Sequence, residues 1–64
     1  MLRNSREIIA RLRQDGFELV NVRGSHHKFR HKQRKIVVIV PHPRSDLPRG
    51  TVGAIYRQAG WAKD

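Results

Sequence analysis

Five consecutive aliphatic residues, Ile36-Val37-Val38-Ile39-Val40, run straight into Pro41-His42-Pro43. No other stretch of the chain limits its fold so strongly. Four to eight β-branched residues ending at prolines read as a buried strand, because branching at Cβ favours extended backbone and proline cannot continue a ladder. The run is far short of the ~20 apolar residues that span a bilayer. A strand needs partners, and two more runs precede it. Phe17–Val22 is aromatic and β-branched, with Arg23-Gly24-Ser25 as a turn, and His26–Lys32 is charged but anchored by Phe29. Gln33-Arg34 is expected to form the short hairpin between the second and third strands. The reading is a three-stranded antiparallel meander.

Helical patterns flank the meander. Asn4 and Glu7 have capping-box spacing, Ile8, Ile9 and Leu12 form an apolar stripe, and Gly16 stands where a left-handed residue ends a helix. The first helix is thus expected over about Ser5–Asp15. After Pro48, Val52, Ile55, Tyr56 and Ala59 recur at helical spacing and Gly60 closes the run. The expected fold is α+β, a two-layer sandwich in the order α-β-β-β-α, with both helices on one face of the sheet and the other face open. Residues 1–64 are expected to form one domain, with a thin core for its size.

Charge narrows the function. Fourteen Lys plus Arg against five Asp plus Glu leave a net charge of +9 on 64 residues. Between Glu18 and Asp46 there is no acid, yet that interval holds Arg23, Lys28, Arg30, Lys32, Arg34, Lys35, Arg44 and all four histidines. Such a segment binds phosphates with release of counterions. Nucleic acid is the leading partner class, ahead of a membrane surface; a plain solvated basic face is the bland alternative. There is no Cys, which excludes disulfides and thiolate zinc sites. Met1–Glu7 lacks the apolar core of a signal peptide, so a soluble cytoplasmic protein is expected.

Strand alternation sorts the histidines. His27, Phe29 and His31 share one face of the second strand, and Phe29 directs that face toward the helices. His26, Lys28 and Arg30 then look outward, beside the Gly24-Ser25 turn, whose amides and hydroxyl can meet a phosphate. RNA scission by transesterification deprotonates a 2′-hydroxyl and protonates the departing 5′-oxygen. An imidazole titrating near 6.5 does either job, and Lys or Arg stabilises the phosphorane-like transition state. The scarcity of carboxylates argues against a Mg²⁺-dependent nuclease and points to no cofactor. His27 and His31 read as half-buried strand residues, His42 as a loop residue, and Tyr56 and Trp61 as core or cover more than as base-stacking platforms. His27 and His31 stand about 13 Å apart along a strand, which argues against a four-His metal site. On the residues alone, cleavage at His26 and simple RNA binding are both open.

The segment Gly24-Ser25-His26-His27-Lys28-Phe29, preceded by Asp15-Gly16-Phe17, resembles the HicA toxin family of YcfA-like mRNA interferases. The match continues through Ile36–Val40, Pro41-His42, Leu47-Pro48-Arg49-Gly50-Thr51, Ile55 and Arg57-Gln58-Ala59-Gly60. The resemblance implies a double-stranded-RNA-binding-domain-like fold and a ribosome-independent endoribonuclease that cleaves mRNA and arrests growth. It implies a HicB-like antitoxin partner, through which alone DNA would be touched. It assigns the catalytic role to His26, the histidine directly after Gly-Ser. Gly24, Ser25, Lys28 and Arg30 are the expected RNA-binding residues around it. Where many relatives have His-Pro after the second strand, this chain has His31-Lys32, and Trp61 replaces the usual aliphatic residue. These departures are expected to alter the hairpin and a capping contact, not the chemistry. A non-catalytic RNA-binding module of the same fold is the alternative.

Overall fold

The computed structural model describes residues 1–64. It contains α1 (Ser5–Gln14), β1 (Phe17–Arg23), β2 (His26–His31), β3 (Val37–Pro41) and α2 (Arg49–Ala59). The strands form one antiparallel sheet in the order β1-β2-β3, the expected meander. No helix is long and apolar enough to cross a membrane.

Helix α1 starts because the Asn4 side chain accepts the Arg6 N–H at 2.9 Å, satisfying one orphan donor of the first turn. The expected reciprocal bond from Glu7 is not formed, so the capping box is half built. Gly16, at φ +96°, lets the chain leave the helix and enter β1. Helix α2 ends at Gly60, φ +77°, where the Trp61 N–H reaches back to the Tyr56 carbonyl at 2.9 Å.

The core lies between the helices and the inner sheet face. Ile8 and Leu12 from α1 and Val52, Ile55, Tyr56 and Ala59 from α2 pack with Phe17, Phe29, Val38, Val40 and Leu47. The sheet residues alternate as the sequence pattern requires: Phe29, Val38 and Val40 are buried, while Lys28, Val37 and Ile39 face away. Trp61 covers one end of this core. Its ring meets Tyr56 edge-on at 5.1 Å, its Nε1–H donates to the Asp15 carboxylate at 3.1 Å, and the Arg11 guanidinium stacks over it at 4.3 Å. Tyr56 is fully enclosed and unable to stack a base; its hydroxyl accepts the Leu2 N–H at 2.7 Å and donates to Asp64 at 3.0 Å.

The β2–β3 connection differs from the expected two-residue hairpin. It spans Lys32–Ile36, and Lys35 adopts a left-handed φ of +52°. The cause is His31, which is only 6 % exposed. Its Nδ1 accepts the N–H groups of both Gln33 and Arg34 at 3.1 Å, so the turn wraps around the ring. On its other side Nε2–H donates to the Asp15 carbonyl at 2.8 Å, and the ring packs edge-on against Phe17. His31 is a buried polar bracket between the end of α1 and the sheet hairpin. The Ile36 carbonyl is drawn into the turn, accepting the His31 N–H at 2.9 Å, which moves the start of β3 to Val37.

Candidate nucleic-acid interface on the open sheet face

Gly24 and Ser25 form the two-residue turn between β1 and β2, with Arg23 directly opposite His26. Gly24 has φ +58° and Ser25 does not lie at positive φ, a pattern suited to a type II′ hairpin turn that follows the sheet's twist. The turn is held from below. The Ser25 carbonyl accepts the backbone N–H of His42 at 2.8 Å and the ring Nδ1–H of His27 at 3.2 Å. His27 and His42 then meet edge-to-face, centroids 4.9 Å apart, on the helix side of the sheet. His26 stands on the outer face with its backbone anchored on both sides, opposite Arg23 in β1 and Pro41 in β3.

Around His26 the outer face forms a shallow depression of about 270 Å³ lined by Asn21, Arg23, His26, Lys28 and Ile39. The first four are exposed polar groups that can meet a phosphodiester; Ile39 supplies an apolar floor. Arg23, His26 and Lys28 take part in no ion pair, so the charge of Arg23 and Lys28 is available to a ligand and no carboxylate occupies the imidazole. Arg30 shares the face but lies outside the depression, in register with Glu18 of β1. The depression therefore lies at the end of the sheet that carries the Gly24-Ser25 turn. Val37 (40 % exposed) and Ile39 (47 %) add an apolar strip beside it.

Of the residues singled out from sequence, Gly24, Ser25, His26 and Lys28 come together, and Arg30 stands on the same face at the far end of the cationic row. Asn21 and Arg23 belong to the depression and were not assigned to it by alternation. Counting inward-facing residues from Phe17 places positions 21 and 23 on the helix side. A β-bulge between Leu19 and Asn21 leaves Val20 as an extra residue, and beyond it Asn21 pairs with Lys28 and Arg23 with His26, on the outer face. The readable signal is weak: Val20-Asn21-Val22 interrupts an otherwise apolar alternation with one amide.

The other histidines face elsewhere. His31 is buried, and His27 and His42 stack behind the sheet. Burial, then the neighbouring His27 and Arg6 charges, hold the His42 pKa below its ordinary 6.5. No group of three or more His, Asp or Glu side chains gathers in a way that could hold a metal ion.

A family model described as HicA toxin of bacterial toxin-antitoxin matches residues 5–61, from the first residue of α1 to Trp61. A search of curated proteins gives no match.

Proposed function

The chain belongs to the HicA toxin family of bacterial toxin–antitoxin systems, and from that premise we propose that it is an endoribonuclease that cleaves mRNA without a ribosome or a metal ion. The observation that carries this reading is a solvent-facing His26 flanked by Arg23 and Lys28 in one depression, with no counter-ion on any of them. His26 takes the proton of a 2′-hydroxyl; the 2′-oxygen attacks phosphorus, and the bond to the 5′-oxygen breaks. The products are a 2′,3′-cyclic phosphate and a 5′-hydroxyl. Arg23 and Lys28 stabilise the added negative charge on the phosphorane-like transition state. Gly24 and Ser25 let the strand approach closely and offer the Ser25 hydroxyl to a phosphate oxygen.

His26 is the one imidazole on this face, because the other three are buried or turned toward the helices. The proton for the departing 5′-oxygen therefore comes from Lys28, Ser25 or water, none of which is as well matched as a second histidine. Turnover is expected to be slow, which suffices for a toxin that needs only to cut many messages once. A HicB-like antitoxin is the partner we propose for the same face: its acidic groups meet Arg23, Lys28 and Arg30, and its apolar ones meet Val37 and Ile39.

The test is purified His26→Ala against a messenger RNA substrate. Cleavage should fall by about 10²–10⁴-fold, the usual contribution of a positioned acid–base group, while RNA affinity stays within a few-fold of wild type. EDTA should leave wild-type cleavage unchanged. Wild-type RNA binding with no cutting, in protein freed of antitoxin, would establish the non-catalytic module instead.

A further inference from the structure

We propose that a second depression, around the corner from His26, is a subsite for a phosphate of the RNA strand flanking the cut; the proposal rests on the nuclease reading above and extends its substrate contact. This depression, of about 240 Å³, is lined only by polar residues and one proline, including Arg6, His42, Arg44 and Ser45. It is tied to the first site through the backbone. His26 pairs with Pro41, the next residue is His42, and the His42 N–H is bonded to the Ser25 carbonyl. The two depressions occupy the same end of the sheet, one on its outer face and one where the β3–α2 loop meets the start of α1.

Its chemistry selects an anion. Arg6 and Arg44 are exposed and neither takes part in an ion pair, so both guanidinium groups are open to a ligand. No Asp or Glu lines the depression. The cavity is not a bare helix end. The Arg6 N–H is taken by Asn4, the Ser5 N–H by the Arg44 carbonyl, and the Ser5 hydroxyl by His42 and the Arg44 N–H. The donors left over include the two guanidinium forks, the Ser45 hydroxyl and the Asn4 side-chain amide, a set suited to the oxygens of a phosphodiester.

Binding of a ten-nucleotide single-stranded RNA with 2′-O-methyl riboses, which cannot be cut by transesterification, tests this. Compared with wild type, Arg6→Gln with Arg44→Gln should bind on the order of tenfold more weakly at 0.1 M salt, and its log–log salt slope should be smaller by about 0.7 for each phosphate lost. Arg57→Gln with Lys63→Gln removes the same two charges from positions lining neither depression, and should keep the wild-type slope. Folding is checked by circular dichroism; only the backbone atoms of Arg6 and Arg44 bond to the fold, so it should be retained. Equal losses in the two double variants, or an unchanged slope in the first, would overturn the subsite. If wild-type protein cuts RNA while the Arg6/Arg44 variant behaves as the control does, the subsite alone falls. If wild-type protein neither binds nor cuts RNA, the nuclease reading falls and takes the subsite with it.

Discussion

The Nδ1 atom of His42 lies 2.7 Å from the Oγ atom of the buried Ser5, and that hydroxyl also accepts the Arg44 N–H at 2.9 Å. The contact ties the loop after β3 to the start of α1, directly behind the Gly24-Ser25 turn. A neutral imidazole accepts the Ser5 hydroxyl proton at Nδ1; a protonated one has no lone pair there and must break or reverse the bond. Burial, His27 and Arg6 all favour the neutral form.

The pH dependence of stability follows from that preference. A folded-state pKa below 6.5 means the unfolded chain binds more protons in the interval between the two values. The His42 contribution is therefore complete above pH 6.5 and is lost as pH falls through the folded value. Urea unfolding of wild type should show stability falling below pH 6.5 with a component missing from His42→Gln. Parallel pH profiles for the two proteins would refute the assignment. The substitution should also loosen the turn that carries His26, so cleavage should drop even though His42 touches no RNA on the outer face.

Gly16 is the position where a methyl group should hurt most. Its φ of +96° is costly for any L side chain, and a Cβ built there sits 2.8 Å from the His31 Nε2. That nitrogen is already committed to the Asp15 carbonyl at 2.8 Å. Gly16→Ala should cost about 2–3 kcal/mol, the sum of a left-handed residue and a displaced buried hydrogen bond. Gly60→Ala shares the positive φ, but its Cβ would point into open space, and should cost only about 1 kcal/mol. Thermal unfolding of the two variants side by side measures the difference. Equal losses would mean His31 moves aside freely and is not the bracket described.

The element order and the helical core were legible because each rests on local periodicity: Ile8 and Leu12, or Val52, Ile55, Tyr56 and Ala59, share a face whatever they pack against. The outward placement of His26, Lys28 and Arg30 was legible for the same reason, with Phe29 fixing which face is which. What escaped was non-local. The Lys32–Ile36 turn is shaped by a histidine whose other nitrogen is bound to the end of α1, sixteen residues away in sequence. The bulge at Val20 arises from pairing against β2, and one extra residue reverses the facing of everything beyond it. The placement of the Arg6–Arg44 depression at the His26 end of the sheet needs the packed ends of α1 and β3, which no local pattern encodes.

The bulge makes its own prediction. If it turns Arg23 outward beside His26, Arg23→Gln should weaken RNA binding about three- to tenfold and reduce the salt slope by about 0.7, the loss of one phosphate contact on a single strand. Arg57→Gln removes an equal charge from α2 and should leave the slope unchanged. Asn21→Ala removes an uncharged donor from the same depression, so it should lower affinity without changing the slope. An Arg23 variant with wild-type affinity and slope would place that side chain off the RNA path.

Ile39 separates the two partners proposed for the sheet face. It lies in the His26 depression and is 47 % exposed, with Val37 beside it, so its apolar surface is available to a protein but contributes little to holding RNA. A partner that buries Ile39 must also cover His26, because both line one depression. RNA and antitoxin should therefore compete, and the complex should weaken with salt as the cationic row is screened. Ile39→Ser should leave the fold intact, since the side chain is outside the core cluster. Burying a large aliphatic side chain is worth roughly 1.5–3 kcal/mol, so antitoxin affinity should fall about ten- to a hundredfold. RNA affinity should change less than threefold, as no phosphate contact is lost. Titrating antitoxin into protein carrying a fluorescent RNA reads both effects at once. A ternary complex in place of displacement would place the antitoxin elsewhere on the molecule, and an Ile39→Ser variant inhibited as tightly as wild type would remove the apolar strip from the interface.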